Sequence, residues 1–300
     1  MPALDPASVV SDAQVAEYCE KGFIVVEDVY SADEIAAMRD SLDALVESAR
    51  AVTDHTDVLD LEPGHTPERP RVRRIKEPFI NVPVYNQMAR TPKLLAVLER
   101  LLGPAFRIHG SKINLKSATY GSPVEWHQDW AFYPHTNDDV LAVGVMLDDM
   151  TPENGPMLMV PGSHTGPTYD HHQDGRFIGA MDPDACPAVK NAEMVTGRAG
   201  ACSFHHVRSV HGSGQNTSGR DRRLLLYQVA AADAWDIRGF VKAPDWDAYA
   251  ATFIQGEPTL EPRVVAAPIR LPYPPPLKGG SIYESQTLAR KKYFGVTAAE

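Results

Sequence analysis

Trp126-His127-Gln128-Asp129-Trp130 lies near the middle of the chain, among short apolar runs punctuated by glycine and proline. In extended backbone, side chains alternate between faces, so His127 and Asp129 point to the same side. An imidazole and a carboxylate that converge suit a divalent first-row metal. With a second histidine they make the facial triad of non-haem Fe(II) oxygenases. The spacing alone is not decisive, because His-x-Asp occurs three times, at His55, His127 and His172. His55 sits in a Pro-, Asp- and Thr-rich stretch, and His172 sits in a polar segment before Gly175. Both read as loop, which leaves His127 as the one among candidate strands.

Outward from this stretch, residues 106–116, 124–130, 141–147, 157–160, 194–196, 201–206 and 223–230 read as strands separated by turn residues. Helical patterns gather before them. Ser11 with Gln14, and Ser31 with Glu34, are capping boxes. The first opens a helix that ends at Gly22, and a short buried strand follows at 23–26. The second opens a helix with Ile35, Met38, Leu42, Leu45 and Val46 on one face. Residues 51–71 lack periodicity and read as a long loop, a candidate lid. Residues 71–76 alternate, placing basic groups on one face. Thr91-Pro92 opens another helix, through Leu94 and Leu98 to Gly103. Residues 268–276 are proline-rich and extended, and 283–293 read as a short helix. The expected fold is mainly β with flanking helices: an antiparallel double-stranded β-helix, or jelly-roll, cupin-like core. We expect one domain over 1–300, with helical support and the loop at 1–104, the core at 105–232 and an extension at 233–300.

Composition narrows the partners. The chain has 300 residues, 43% hydrophobic and 23% charged, with a formal net charge of −10. This acidity argues against a nucleic-acid partner. Three cysteines without C-x-x-C pairing fit a reducing compartment. The first residues lack a basic stretch followed by an apolar run, and no apolar run is long enough for a membrane. We therefore expect a cytoplasmic protein acting on a small molecule, with neither nucleic acid nor membrane as partner.

A third ligand must come from a distant strand, and His205, His206 and His211 are candidates. His211 opens His211-Gly212-Ser213-Gly214, a tight polar turn. Arg222 enters an apolar strand 11 residues later. A guanidinium there can grip a carboxylate with both arms.

Taken together, His127-Gln128-Asp129, Asn154-Gly155-Pro156, Val160-Pro161-Gly162-Ser163-His164 and His211-Gly212-Ser213-Gly214 with Arg222 resemble the phytanoyl-CoA dioxygenase family. The resemblance covers about residues 12–230. It implies an Fe(II)- and 2-oxoglutarate-dependent oxygenase with iron ligands at His127, Asp129 and His211. It further implies that Arg222 holds the distal carboxylate of 2-oxoglutarate and that Ser213 lies near it. Lys76, with Arg74 competing, matches an upstream lysine that contacts the co-substrate. Ser111 falls where some members have methionine, and Val145 where some have tryptophan. His164 reads as structural.

The implied reaction consumes O2, releases succinate and CO2, and hydroxylates or otherwise oxidises an unactivated C–H of a small or medium-sized metabolite. Related halogenases lack the carboxylate, so Asp129 favours oxidation over halogenation. Trp130, Phe132 and His205 are candidate substrate contacts, with Tyr133 beside them. The alternatives are a non-catalytic jelly-roll metal-binding or sensor protein and a zinc hydrolase. The sensor has no use for Arg222, and the hydrolase needs a nearby general base and no decarboxylation.

Overall fold

Period-two alternation on the long central strands sets the architecture. The computed structural model describes residues 4–119, 121–238, 245–277 and 281–295. In chain order the elements are α1 (Asp12–Lys21), β1 (Phe23–Val26), α2 (Ala32–Ser48), β2 (Leu59–Leu61) and β3 (Val72–Lys76). Next come α3 (Pro78–Asn81), α4 (Pro83–Met88), α5 (Pro92–Leu102), β4 (Phe106–Lys116) and β5 (Val124–His127). They are followed by β6 (Val140–Met146), β7 (Met157–Met159), the small hairpin β8 (His172–Gln173) and β9 (Arg176–Phe177), and β10 (Glu193–Val195). The chain continues through β11 (Cys202–His206), β12 (His211–Ser213), β13 (Arg222–Ala231), α6 (Trp246–Ala250), β14 (Phe253–Gln255) and α7 (Ile282–Ser285).

Two antiparallel sheets form the jelly roll. The larger runs β1-β11-β6-β13-β4-β3-β2, with β14 on the β4 edge; the smaller runs β10-β7-β12-β5. Strand β6 is buried along its whole length, because each of its faces is covered. Val143 and Val145 pack with Leu225 and Tyr227 against Ile35, Met38 and Leu42 of α2 and Leu94 and Leu98 of α5. Ala142 and Met146 face the other way, with Leu224 and Leu226, towards Met157 and Met159 of the small sheet. The helices are therefore buttresses behind the larger sheet, and the space between the sheets is left for the site.

Local chemistry sets the helix ends. Ser11 and Ser31 each cap the N–H of the residue three positions on, and the Gln14 and Glu34 side chains return the bond. Helix α1 stops at Gly22, where φ is +83°; a Cβ there would lie 2.4 Å from the His164 ring.

Three expectations need correction. The strand at 124–130 ends at His127, and Asp129–Ala131 is a 3-10 turn. Trp130 N–H donates to the Val207 carbonyl at 2.8 Å, and Phe132 N–H donates to that of Asp129. His127 and Asp129 thus converge through a strand end and a turn rather than through alternation. The stretch 51–71 is not structureless, because β2 pairs with β3 and Glu62 N–H donates to the Arg71 carbonyl. His211–Ser213 is a strand rather than a turn, hydrogen-bonded to both β5 and β7.

Candidate active site

Register builds the site from both walls. On the small sheet, His211 of β12 lies opposite His127 at the end of β5. On the large sheet, Arg222 pairs with Lys116, Leu224 with Asn114 and Leu226 with Lys112. Gln228 lies opposite Ala142, which in turn lies opposite His205. These positions share one face of their strands, and together they line a cavity between the sheets.

At its centre, one ligand atom each from His127, Asp129 and His211 lies within 4.8 Å of the others, and all three residues are buried. His127 Nδ1 lies 2.8 Å from the Glu125 carbonyl, and His211 Nδ1 lies 3.0 Å from that of Ser209. A carbonyl only accepts, so each Nδ1 carries the proton and each Nε2 presents a lone pair. The Nε2 atoms of His127 and His211 lie 3.7 and 4.0 Å from Asp129 Oδ1. Burial, reinforced by the neighbouring His211, holds the His127 imidazole well below its ordinary range. Burial and His205 bring His211 down to about 4. Both rings are therefore neutral and able to ligate near neutral pH. Burial opposes the Asp129 charge, but His205, Lys112, His211 and His127 outweigh it and keep the carboxyl well below its usual range. Two neutral imidazoles and a carboxylate, held in this tautomer, are the donor set that ferrous iron takes.

Gln128, between His127 and Asp129, fixes the turn. It is fully buried; its N–H donates to His171 Nε2, its amide nitrogen donates to the Pro167 and Arg208 carbonyls, and its amide oxygen accepts from Tyr169.

Two buried cations sit at one end of this cavity. Arg222 is 2% exposed, and its Nη2 donates to the Gly155 carbonyl at 2.6 Å. Its Nε has no hydrogen-bond partner. Lys116 is 1% exposed; its Nζ donates to Ser213 Oγ at 2.8 Å and to the Gly214 carbonyl. Neither forms an ion pair among the described residues. Burial lowers Arg222 to about 10, while burial and the nearby Arg222 push Lys116 well down. Charging two basic groups buried together without a counter-ion is costly, and an incoming carboxylate would offset that cost.

Lys76 and Ser111 do not line this cavity. They border a second cavity, of about 500 Å³, on the other side of Asp129. Lys76 Nζ lies 3.4 Å from Asp60, and Ser111 Oγ donates to Glu77 and accepts from the Phe79 N–H. Phe132, Tyr133 and Arg74 also border the second cavity, as does Asp57 from the stretch 51–71. Trp130, expected as a pocket wall, borders neither cavity. Its indole donates to the Pro268 carbonyl at 2.8 Å, and its ring packs with Tyr133, Val140 and Val207. His205 lines the first cavity, with Nε2 3.8 Å from Asp129 Oδ2 and neither ring nitrogen hydrogen-bonded. His164 packs at a tilt against the His206 ring, outside both cavities.

Lys112, Asn114, Lys116, Gln228 and Tyr283 escaped the reading of the sequence. The first three sit two apart on β4, and Gln228 follows Arg222 at even spacing on β13, so alternation would have found them once Arg222 was placed. Tyr283 had no such signal.

The model of the family described as phytanoyl-CoA dioxygenase (PhyH) matches residues 18–224. The chain belongs to the phytanoyl-CoA dioxygenase family. A probable alpha-ketoglutarate-dependent hypophosphite dioxygenase of Stutzerimonas stutzeri is 37% identical, over 94% of this chain and 99% of its own length. The ectoine dioxygenase of Sphingopyxis alaskensis is 29% identical, over 77% of this chain and 82% of its own. The crystal structure of EctD from S. alaskensis with 2-oxoglutarate and 5-hydroxyectoine superposes with a TM-score of 0.65 at 26% identity, covering 85% of this chain and 87% of that one. The same enzyme with bound Fe superposes equally well, with a TM-score of 0.65, over 78% of this chain and 82% of that one. This phytanoyl-CoA dioxygenase family member is an iron- and 2-oxoglutarate-dependent dioxygenase. No helix among the described residues is long and apolar enough to cross a membrane.

Proposed function

We propose that His127, Asp129 and His211 hold the iron and that Arg222 anchors 2-oxoglutarate. On this reading a polar organic metabolite is oxidised from the second cavity. The observation that carries it is the convergence of three donor atoms within 4.8 Å beside a cavity whose far end holds an arginine without a carboxylate partner. When bound, the iron and co-substrate couple O2 reduction to decarboxylation, which yields succinate and CO2 and oxidises the substrate.

The chain orients and shields. The Glu125 and Ser209 carbonyls hold the imidazoles in their ligating tautomer. Arg222 fixes the far end of the co-substrate, while Ser213 reaches it through its bond to Lys116. Leu224, Leu226 and Met157 exclude water from the same space. The second cavity is where the substrate approaches. Its wall mixes Phe132, Tyr133 and Phe177 with Arg74, Lys112 and Arg238, set against Glu77 and Asp57. Such a wall suits a compact molecule bearing charge of both signs. A volume of about 500 Å³ falls in the range of organic ligand sites, and exceeds what a three-heavy-atom anion such as hypophosphite fills.

The test is anaerobic addition of Fe(II) and 2-oxoglutarate, which should produce a weak visible charge-transfer band. Succinate release is then scored over a panel of polar metabolites, with hypophosphite included. Asp129→Ala should abolish both the coupled turnover and tight iron retention. Unaltered succinate formation with native substrate in that variant would overturn the ligand assignment. Turnover of hypophosphite alone would overturn the substrate class.

A further inference from the structure

The family match ends at residue 224, yet the wall of the co-substrate cavity is completed by Ile282 and Tyr283, more than fifty residues further on. Helix α7 is capped by Ser281, whose side chain and N–H both donate to Glu284. Just past it, Gln286 is buried and fastened to strand β5: its Oε1 accepts from the Glu125 N–H at 2.9 Å, and its Nε2 donates to the Gly179 carbonyl at 2.7 Å. Those bonds fix where the tyrosine stands.

Tyr283 is 7% exposed, and its hydroxyl is buried without a hydrogen-bond partner. The ring is held by the guanidinium groups of Arg73 and Arg74, each 5.3 Å from its centroid. A tyrosine that served only packing would be expected to find a partner for its O–H, because an orphaned buried hydroxyl costs free energy. This one borders the cavity that also contains Arg222 and Lys116. Burial raises its ionisation well into the alkaline range, so it is a donor at neutral pH.

Resting on the co-substrate reading above, we infer that the Tyr283 hydroxyl donates to the distal carboxylate of 2-oxoglutarate beside Arg222. The C-terminal segment is then a working part of the active site. Arg222 supplies charge and Tyr283 a neutral donor, and the orphaned hydroxyl gains its partner only when the keto acid is bound.

The experiment compares wild type and Tyr283→Phe, which keeps the ring and its stacking on the arginines. Each Fe(II)-loaded protein is titrated anaerobically with 2-oxoglutarate and with 2-oxobutanoate, which has the same chelating head and no distal carboxylate. The variant should bind 2-oxoglutarate about tenfold more weakly and 2-oxobutanoate unchanged. Equal affinity for 2-oxoglutarate in the two proteins overturns the inference, as does equal weakening of both acids. Wild type that forms no band with 2-oxoglutarate overturns the co-substrate reading itself, which is a separate result. Should the variant fail to fold, amide exchange over residues 281–286 in wild type decides. Exchange that slows with 2-oxoglutarate but not with 2-oxobutanoate supports the contact, and the same exchange with both excludes it.

Discussion

Lys116 shows how much a single residue can disclose. A lysine almost never goes fully into a protein interior without a paired acid. This one is 1% exposed, bonded to neutral oxygens, and close enough to Arg222 for that guanidinium to depress it further. Burial and mutual repulsion disfavour charge on both groups in the unliganded protein, and on the proposed reading a bound dianion offsets that cost. Replacing Lys116 with methionine, of similar length and no charge, should therefore act in opposite directions on two measurements. Thermal stability without 2-oxoglutarate should rise or hold, while the co-substrate dissociation constant should increase on the order of tenfold. Melting temperatures with and without saturating 2-oxoglutarate read both effects. A variant that melts lower without ligand, yet gains as much from it as wild type, would show that Lys116 is only structural.

Among the elements, those with a dominant local rule were readable. Helices α1 and α2 announce themselves through Ser11 and Ser31, β4 through alternation, and β6 and β13 through apolar runs. The strand carrying His127 was read too long, because bonds to Val207 and His171 from elsewhere in the chain turn the backbone at Gln128. Hairpin β2–β3 was missed for a similar reason: its Leu59–Leu61 strand is short and held by its neighbour. That hairpin leads into Glu62, 2% exposed, with neither oxygen hydrogen-bonded. Burial lifts its pKa to about 7, against the pull of Arg73 and Arg71. The folded form thus keeps a proton that the unfolded chain loses at a lower pH. Between the ordinary carboxylate range and about pH 7, stability falls as pH rises, and above that the whole cost is present. A shift of this size corresponds to roughly 3 kcal/mol. Glu62→Gln should remove the fall, so urea unfolding should show the variant gaining more over wild type at pH 8 than at pH 4.5. A gain independent of pH would mean that Glu62 titrates normally.

At the scale of the whole molecule, the C-terminal chain folds back over the jelly roll and closes on the strand that bears His127. Trp126 of β5 packs edge-on against Tyr293 at 5.4 Å between centroids, and Glu125 accepts from the Tyr293 N–H at 2.8 Å. Nothing in the sequence marks this, since a proline-rich tail followed by one turn of helix has no periodicity that states what it packs against. The core and the candidate ligands His127, Asp129 and His211 could be picked out because apolar patterning and motif spacing are local, whereas closure depends on contacts about 160 residues apart in the chain. Gln286 is where that closure is fastened, with one amide bridging β5 and the Gly179 carbonyl. Gln286→Leu keeps the bulk and strands a buried N–H and a buried carbonyl, each costing about 1–3 kcal/mol. The segment can escape that cost by detaching, which unfolding of the core cannot do so cheaply. The variant should therefore keep its iron affinity and most of its melting temperature, become cleavable by protease between residues 260 and 280, and bind 2-oxoglutarate more weakly because Tyr283 leaves with the segment. Limited proteolysis beside a 2-oxoglutarate titration distinguishes the cases. Unchanged cleavage together with unchanged affinity would show that the roof is held by the Trp126 aromatic contacts, and that the amide bonds add little to it.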